Sequence, residues 1–207
     1  MLHSTKYSSR RKPWVIAYVL ITAVLWNGGF LLILKRSPGL IRERALPGPG
    51  TVEGVAEETL LYALPVAAHA ILAFIDRPGR RWWRPMPTAL HALGLLVYTV
   101  SNLLVIWSEL TNPFFSSAVR IQSDRGQYVI SDGPYAYVRH PGYAAGSAFI
   151  ISSSLALGSW LSMLPGIIFT AALIRRTRIE DAFLKQNLRG YEDYAARVRF
   201  RLLPGIW

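Results

Sequence analysis

Residues 133–143 read Gly-Pro-Tyr-Ala-Tyr-Val-Arg-His-Pro-Gly-Tyr, and they lead directly into an apolar run at 142–174. Polar chemistry at the mouth of a membrane segment is costly, so it usually serves binding or catalysis. A second polar cluster, Arg-Thr-Arg-Ile-Glu-Asp at 176–181, follows the run. If the run crosses the bilayer and returns, the two clusters meet at one face. The pattern therefore predicts a site at the membrane surface.

The apolar run at 142–174 is too long for a single upright helix. Its length would extend roughly 50 Å at 1.5 Å per residue, whereas the hydrocarbon core of a bilayer is about 30 Å thick. Gly158-Ser159 offers a break within the run. The run is therefore predicted to form a hairpin of two helices, at 142–157 and 160–174.

Three earlier segments also have the length and composition of membrane spans: Trp14–Leu34, Thr59–Ile75 and Thr88–Ser108. The first of them carries no charge and follows a basic N-terminus, a pattern that also fits a signal peptide. However, it is longer than the apolar part of a signal peptide, and no small-residue cleavage site follows it cleanly. A retained transmembrane helix is the favoured interpretation.

The segments between these spans are polar. Residues 35–58 are predicted to be a loop, and so are residues 76–87, which carry four Arg and the interfacial pair Trp82-Trp83. The long segment 109–141 is predicted to be irregular, with a turn marked by Gly133-Pro134.

The tail after the hairpin is amphipathic. Its apolar side chains fall on one face of a helix that begins near Arg175 and that Gly190 ends, and a short helix follows at 191–200. The sequence therefore predicts an all-α integral membrane protein with about five transmembrane helices. The last two form a hairpin, and amphipathic helices follow at the C-terminus.

The net charge of +11, with 23 Lys and Arg, indicates a negatively charged binding partner. Such a balance suits nucleic acid or an anionic membrane surface. The basic residues flank apolar segments instead of forming a separate domain, which favours membrane lipids and argues against nucleic acid. With five spans and a cytoplasmic C-terminus, 15 of the basic residues lie inside and eight outside. The basic N-terminus opposes this orientation locally, but the total predicts a cytoplasmic catalytic face.

The residues that usually ligate metals are few and scattered. The chain has no cysteine, which excludes disulfides and thiolate sites. Its four histidines are His3, His69, His91 and His140, and no pair has the spacing of metal ligands. No metal is therefore predicted.

Taken singly, the polar residues of the two clusters have ordinary explanations as well as functional ones. Arg176 and Glu180 lie four apart on a predicted helix and can form a surface ion pair worth about 0.2–0.5 kcal/mol. Glu180 and Asp181 can equally hold a cationic ligand or act as acid and base. His140 can be a structural histidine beside a turn that Pro141 fixes. The individual residues leave these alternatives open.

The order of the short motifs is more informative than any one of them. In chain order they are Asn112-Pro113-Phe114-Phe115-Ser116, Val119-Arg120-Ile121-Gln122, Arg125-Gly126-Gln127, Gly133-Pro134-Tyr135, Arg139-His140-Pro141-Gly142-Tyr143, Arg176-Thr177-x-x-Glu180-Asp181, Gly190-Tyr191-x-x-Tyr194 and Val198-Arg199-x-Arg201-Leu202-x-Pro204. This ordered set resembles the isoprenylcysteine carboxyl methyltransferase family and its bacterial relatives over about residues 88–207. The Arg-His-Pro-x-Tyr block with the acidic pair is shared more widely with phospholipid N-methyltransferases.

The resemblance implies an integral membrane methyltransferase that uses S-adenosylmethionine on the cytosolic side. It divides the chain into an N-terminal transmembrane region of two helices at 1–87, which carries no family motif, and a methyltransferase core at 88–207. The core would comprise a cofactor-binding loop, the helical hairpin and a C-terminal cap.

The resemblance also implies the residues of the site, position by position. Contacts with the cofactor are implied for Gln122, Gln127, Tyr128, Val129, Ile130, Tyr135, His140, Pro141, Gly142, Tyr143 and Glu180. Glu180 would hold a polar part of the cofactor. Arg176 matches the family arginine that faces the substrate, and it is the predicted catalytic and substrate-binding residue. Asp181 stands where the family has glutamate, one methylene longer, so its role is left open.

The presence of Arg176 favours a carboxylate-bearing acceptor. A carboxylate nucleophile needs no general base, and its hydration is the main obstacle to attack on a sulfonium methyl group. A dry pocket with one oriented arginine would position the carboxylate and remove its water. An amine acceptor would have to lose a proton and would gain nothing from Arg176. The predicted acceptor is a lipophilic small molecule or a lipidated partner, and the oligomeric state is left open.

Three other functions remain as alternatives. The first is a phospholipid amine N-methyltransferase. The second is a membrane reductase that uses a nicotinamide dinucleotide, whose 2'-phosphate would need additional Arg or Lys contacts, whereas the methyl donor needs a carboxylate for its ammonium group. The third, a membrane protein without enzymatic activity, leaves the ordered polar motifs without a purpose.

Overall fold

The described part of the protein is built from α-helices. The computed structural model describes residues 2–46, 48–50, 55–76, 84–116 and 118–207, with the backbone alone for residues 2–10 and 55–59, and these ranges contain no strand. The helices are α1 (Leu2–Arg36), α2 (Pro38–Ala45), α3 (Val55–Ile75), α4 (Thr88–Thr111), α5 (Pro141–Leu157), α6 (Met163–Asn187) and α7 (Tyr191–Arg197), with single 3-10 turns at Ser123–Arg125 and Gly133–Ala136. The predicted all-α class is confirmed.

In the described part of the chain, two helices are long and apolar enough to cross a membrane. They are the segment Arg11–Arg36 of α1 and the whole of α4, and α3 contains a shorter apolar helix at Leu60–Ile75. Large apolar side chains on these helices, such as Val24 and Leu64, are exposed. A belt of this kind is typical of a surface covered by lipid. Five spans remain a prediction, and the predicted anchor Trp82-Trp83 lies outside the described residues.

The predicted break in the apolar run is confirmed at Gly158. This residue ends α5 with a left-handed backbone (φ 67°), and a Cβ there would lie 2.3 Å from the ring of His91. Only glycine meets both demands without strain. The buried carboxylate of Asp76 closes the turn, because it accepts hydrogen bonds from Ser159 Oγ (2.9 Å) and the Leu161 amide (3.2 Å). The hairpin thus returns α6 toward the start of α5.

The second arm of the hairpin is longer than predicted. Instead of ending at residue 174, α6 continues without interruption to Asn187, so the predicted tail helix and the membrane arm are one element. The segment 175–187 contains no glycine or proline that would interrupt the backbone. Gly190, predicted to end this helix, instead precedes α7 with a φ of 82°. The last helix stops at Arg197, three residues short of the predicted end.

The prediction that residues 35–58 form a loop is wrong in part. Helix α1 continues to Arg36, α2 occupies Pro38–Ala45, and α3 already begins at Val55. Proline fits the first turn of α2 because the amide that it lacks would have no partner there. This short helix was not predicted because a glycine- and proline-rich composition is typical of a loop.

The hairpin makes a testable prediction about membrane sidedness. Single cysteines at the exposed positions Ser131 and Gln186 should be labelled from the same side of the membrane, because α5 and α6 return the chain to the face that it left. The chain has no native cysteine, so each label reports one position. A cysteine at Arg84, which precedes α4 at the other end of the bundle, should label from the opposite side. Labelling of Ser131 and Gln186 from different sides would contradict the arrangement.

Candidate active site

A pocket lies between the loop that follows α4, the start of α5 and the second half of α6. It encloses about 770 Å³ of space, the open solvent at its mouth included. Ten of the predicted cofactor residues line it: Gln122, Gln127, Tyr128, Val129, Ile130, Tyr135, His140, Gly142, Tyr143 and Glu180.

Two predicted site residues lie outside the lining of this pocket. Pro141 is the first residue of α5, and Arg176 lies one turn before Glu180 in α6. The lining also contains apolar and aromatic residues that the sequence analysis did not assign to the site: Phe114, Phe115, Phe183, Leu184, Leu188, Tyr191 and Tyr194. Most of them belong to the quoted motifs or to the apolar face of the tail helix, so their positions in these motifs could have indicated that they line the site.

Asp181 is the centre of a buried polar network. Its carboxylate receives a two-pronged bond from Arg139, with Nε–Oδ1 at 2.6 Å and Nη2–Oδ2 at 3.0 Å. Arg201 Nε donates to Oδ2 at 2.9 Å, and the Tyr191 hydroxyl donates to Oδ1 at 3.1 Å. Burial alone would raise the pKa of Asp181, but hydrogen bonds from His140, Arg139 and Arg201 hold it well below its usual range. Asp181 is therefore an ionised structural anchor.

The same network attaches the C-terminal tail to the Arg-His-Pro motif. Arg139 Nη1 donates to the carbonyl oxygens of Val198 (2.7 Å) and Arg199 (2.8 Å). The amides of Arg139 and His140 donate to the carbonyls of Phe200 and Arg201 at 3.0 and 2.9 Å. The tail thus closes over the motif, which explains why the Val-Arg-x-Arg block follows the others at the end of the chain.

Glu180, next to Asp181, has a different environment. Its side chain lines the pocket and is 24% exposed, whereas that of Asp181 is 1% exposed. Its Oε2 accepts a hydrogen bond from the Tyr143 hydroxyl at 2.6 Å. His140 Nδ1 lies 4.0 Å from Oε1, and the His140 ring stacks on Tyr143 at 5.7 Å. Glu180 is thus the carboxylate that a cation in the pocket can reach.

Arg176 is outside the pocket lining but contacts two residues of that lining, Tyr143 and Glu180. Its Nε donates to the Tyr143 hydroxyl at 2.7 Å and is 3.7 Å from Glu180 Oε2. Its guanidinium carbon is 5.6 Å from the ring centre of Tyr62 on α3 and 5.7 Å from that of Tyr143. The residue is almost fully buried. The Tyr143 hydroxyl is therefore shared between the two side chains, since it accepts from Arg176 and donates to Glu180.

The loop that forms the opposite wall is held by its own polar side chains. Gln127 Oε1 accepts from the Gln122 amide at 2.7 Å, and Gln122 Nε2 donates to the carbonyl of Phe114 at 2.8 Å. The Gln122 side-chain oxygen also accepts from Arg125. The two glutamines therefore shape the wall through their side chains, and a ligand meets a preformed loop.

Tyr135, in the lining of the pocket, is fixed by hydrogen bonds. Its hydroxyl accepts from Asn112 Nδ2 at 3.3 Å, and its carbonyl accepts from the Tyr194 hydroxyl at 2.7 Å. Burial raises its pKa above the usual value for tyrosine, so the phenol is protonated at neutral pH. Among the described residues, no three His, Cys, Asp or Glu side chains are grouped as a metal site would require.

The lining fits S-adenosylmethionine in its chemistry. S-adenosylmethionine has an ammonium group, for which Glu180 would be a partner of opposite charge, and a purine, for which Phe114, Leu184 and Leu188 would be apolar and aromatic partners.

Comparison with known proteins gives two matches. Residues 89–190 match the family model described as phospholipid methyltransferase. An 86-residue segment is 29% identical to the protein-S-isoprenylcysteine O-methyltransferase of Schizosaccharomyces pombe, and it covers 41% of this chain and 36% of that relative. The chain therefore spans about a third of the length of the curated relative that it matches. The resemblance predicted from the ordered motifs is confirmed, and both matches support a methyltransferase.

Proposed function

We propose that this chain, whose residues 89–190 match the phospholipid methyltransferase family, transfers a methyl group from S-adenosylmethionine to a lipophilic, carboxylate-bearing acceptor in the membrane. One observation supports this proposal most directly. The Tyr143 hydroxyl bonds both a partly exposed carboxylate of the pocket, Glu180, and a buried arginine, Arg176, which lies 3.7 Å from that carboxylate. A cationic cofactor and an anionic acceptor would each meet a residue of opposite charge, and the two residues are joined through one hydroxyl group.

The pocket residues bind and orient the cofactor. S-adenosylmethionine supplies, when bound, an activated methyl group on a positively charged sulfur. Glu180 holds the ammonium group, and the hydrogen bond from Tyr143 fixes the carboxylate in position for this contact. Asp181 takes no part in binding, because Arg139, Arg201 and Tyr191 occupy its oxygens.

Arg176 acts on the acceptor. Its burial and its hydrogen bond to Tyr143 fix the direction of the guanidinium group. An acceptor carboxylate that leaves water for this site would lose its hydration and needs a fixed cation as a replacement. The aromatic rings of Tyr62 and Tyr143 exclude water from the same place. No proton has to be removed, because the carboxylate attacks in its ionised form.

A phospholipid amine acceptor is the second candidate, because the matched family is described by phospholipid methylation. A reductase that binds a phosphorylated nicotinamide dinucleotide is disfavoured by the lining. In the described pocket the cationic side chains Arg120 and Arg139 are already paired with buried carboxylates, Glu43 and Asp181. Neither offers the uncommitted charge that a 2'-phosphate requires.

The proposal includes an orientation. The pocket faces the cytoplasm, where the cofactor is available, and the acceptor reaches Arg176 from the lipid. The exposed apolar side chains of α1, α3 and α4 contact membrane lipids.

Binding of S-adenosylhomocysteine to the purified protein tests the cofactor site. Glu180→Gln is expected to lose about 1.5–3 kcal/mol of binding free energy, roughly ten- to hundredfold in Kd, because a charge-assisted hydrogen bond is removed. Isothermal titration calorimetry measures this directly. Glu192→Gln, an exposed carboxylate on α7, is the matched control and should bind as wild type does. Equal affinity of wild type and Glu180→Gln would exclude Glu180 from the site. In a separate experiment, transfer of radiolabelled methyl groups to lipid extracts would identify the class of acceptor.

A further inference from the structure

Helix α2 lies outside the segment that matches a known family, yet it contacts the loop that forms one wall of the pocket. Glu43 on α2 accepts two hydrogen bonds from Arg120, Nε–Oε1 at 2.7 Å and Nη2–Oε2 at 2.8 Å. The exposed fractions of the two side chains are 5% and 1%. Arg120 also bonds Asp124 at 2.7 Å, but that carboxylate is 49% exposed. Because Arg120 lines the pocket, α2 is joined to the pocket wall by a buried ion pair.

Two further contacts join α2 to the same wall. The guanidinium group of Arg44 lies over the ring of Phe115 at 5.1 Å, and Phe115 lines the pocket. Gly39 lies against Arg125, such that a Cβ would be 3.2 Å from Nη2 of that arginine. Arg125 in turn donates to the side-chain oxygen of Gln122. The side chains that shape the wall are therefore in contact with α2 at both ends of the helix.

The chain after α2 closes around the buried pair. The backbone of Gly48 contributes a hydrogen bond to Glu43, and a Cβ at Gly48 would lie 2.6 Å from Nη2 of Arg120. The carbonyl of Pro49 accepts from Nη1 of Arg120 at 3.4 Å. The side-chain hydrogen bond from Arg120 lowers the pKa of Glu43, so the pair is ionised at neutral pH. Among the described residues, removal of the Glu43 charge would leave the exposed Asp124 as the remaining carboxylate partner of the buried Arg120.

We propose that α2 is a clamp on the cofactor loop and that Glu43 is a positioning residue of the cofactor pocket. The inference rests on the proposed function, because it assigns to Glu43 the task of holding the wall that S-adenosylmethionine would contact. Glu43 acts through Arg120 and does not touch the ligand. The cofactor site therefore depends on an N-terminal element that carries no family motif.

The test compares the two carboxylates that share Arg120. Glu43→Gln should weaken S-adenosylhomocysteine binding about tenfold or more, whereas Asp124→Asn should stay within about threefold, because exposed ion pairs contribute little. The apparent KM for S-adenosylmethionine should rise with Glu43→Gln while kcat at saturation stays within about threefold, since the chemical groups are unchanged. A cysteine at the buried position Ala118 reports loop opening, and its labelling should become faster in Glu43→Gln.

The outcomes separate this inference from the proposed function. If the wild type does not bind S-adenosylhomocysteine, the proposed function fails. If the wild type binds and Glu43→Gln binds equally well, or if the cysteine at Ala118 is labelled at an unchanged rate, the clamp is overturned. Equal losses for Glu43→Gln and Asp124→Asn would also overturn it. If Glu43→Gln does not fold, the double variant Glu43→Gln/Arg120→Gln, which removes both buried charges together, replaces it. A wild-type affinity of that double variant would refute the role of the pair.

Discussion

Replacement of Arg176 by lysine is expected to lower methyl transfer about tenfold or more, while the affinity for S-adenosylhomocysteine stays within about threefold of wild type. Lysine keeps the positive charge but loses the planar, two-pronged donor that an acceptor carboxylate would use. The cofactor side is preserved because the Tyr143 hydroxyl still donates to Glu180. Single-turnover transfer of radiolabelled methyl groups and calorimetric binding measure the two effects separately.

Arg175→Lys provides the matched control, because Arg175 is the preceding residue of α6 and is exposed. It should leave both transfer and affinity unchanged. If Arg176→Lys instead loses most of its affinity for S-adenosylhomocysteine with transfer otherwise intact, Arg176 is a cofactor-binding residue. With an amine acceptor, Arg176→Lys should leave the rate of methyl transfer unchanged. The result therefore also bears on the class of acceptor.

The hairpin and the site were predictable for different reasons. The hairpin followed from length alone, because 33 apolar residues exceed one bilayer and Gly158 is the natural break. The site followed from the order of the motifs, which the resemblance assigned to one pocket. The structure brings ten of these residues to that pocket from three separate parts of the chain.

Other features depended on contacts that sequence does not reveal. Helix α2 has a composition typical of a loop, and its partners on the cofactor loop are distant in sequence, as with Glu43 and Arg120. The continuity of α6 was not predicted because the change from apolar to charged residues at 175 suggests a boundary. Charged residues such as Arg and Glu nevertheless continue a helix as readily as most apolar residues do. The different environments of Glu180 and Asp181 also required the fold, since adjacent residues on a helix face different directions.

The network around Asp181 makes folding stability sensitive to acid. The pKa of this carboxyl is lower in the folded protein than its unfolded value of about 3.9. A group of this kind stabilises the fold at pH values above its unfolded pKa, and the stabilisation is lost as the pH falls toward the folded pKa. Thermal stability should therefore decline below about pH 4, and the decline should be smaller when Asp181 is replaced by asparagine.

The Asp181→Asn variant is expected to be less stable than wild type by about 3–5 kcal/mol, because it leaves the buried Arg139 without its charged partner. Both oxygens of Asp181 are engaged, by Arg139, Arg201 and Tyr191, and asparagine can replace neither the charge nor the second acceptor. Thermal unfolding in detergent, followed by tryptophan fluorescence, measures the change in the melting temperature.

The comparison with Glu180→Gln separates the roles of the two neighbouring carboxylates. Measured at a temperature where both variants are folded, Glu180→Gln should lose more affinity for S-adenosylhomocysteine, and Asp181→Asn should lose more thermal stability. Asp193→Asn, an exposed position on α7, should change neither quantity. A stable Asp181→Asn protein with the greater loss of affinity would reverse the assignment. The longer side chain at position 180 would then be the structural one, although it is the one that the fold leaves open to the pocket.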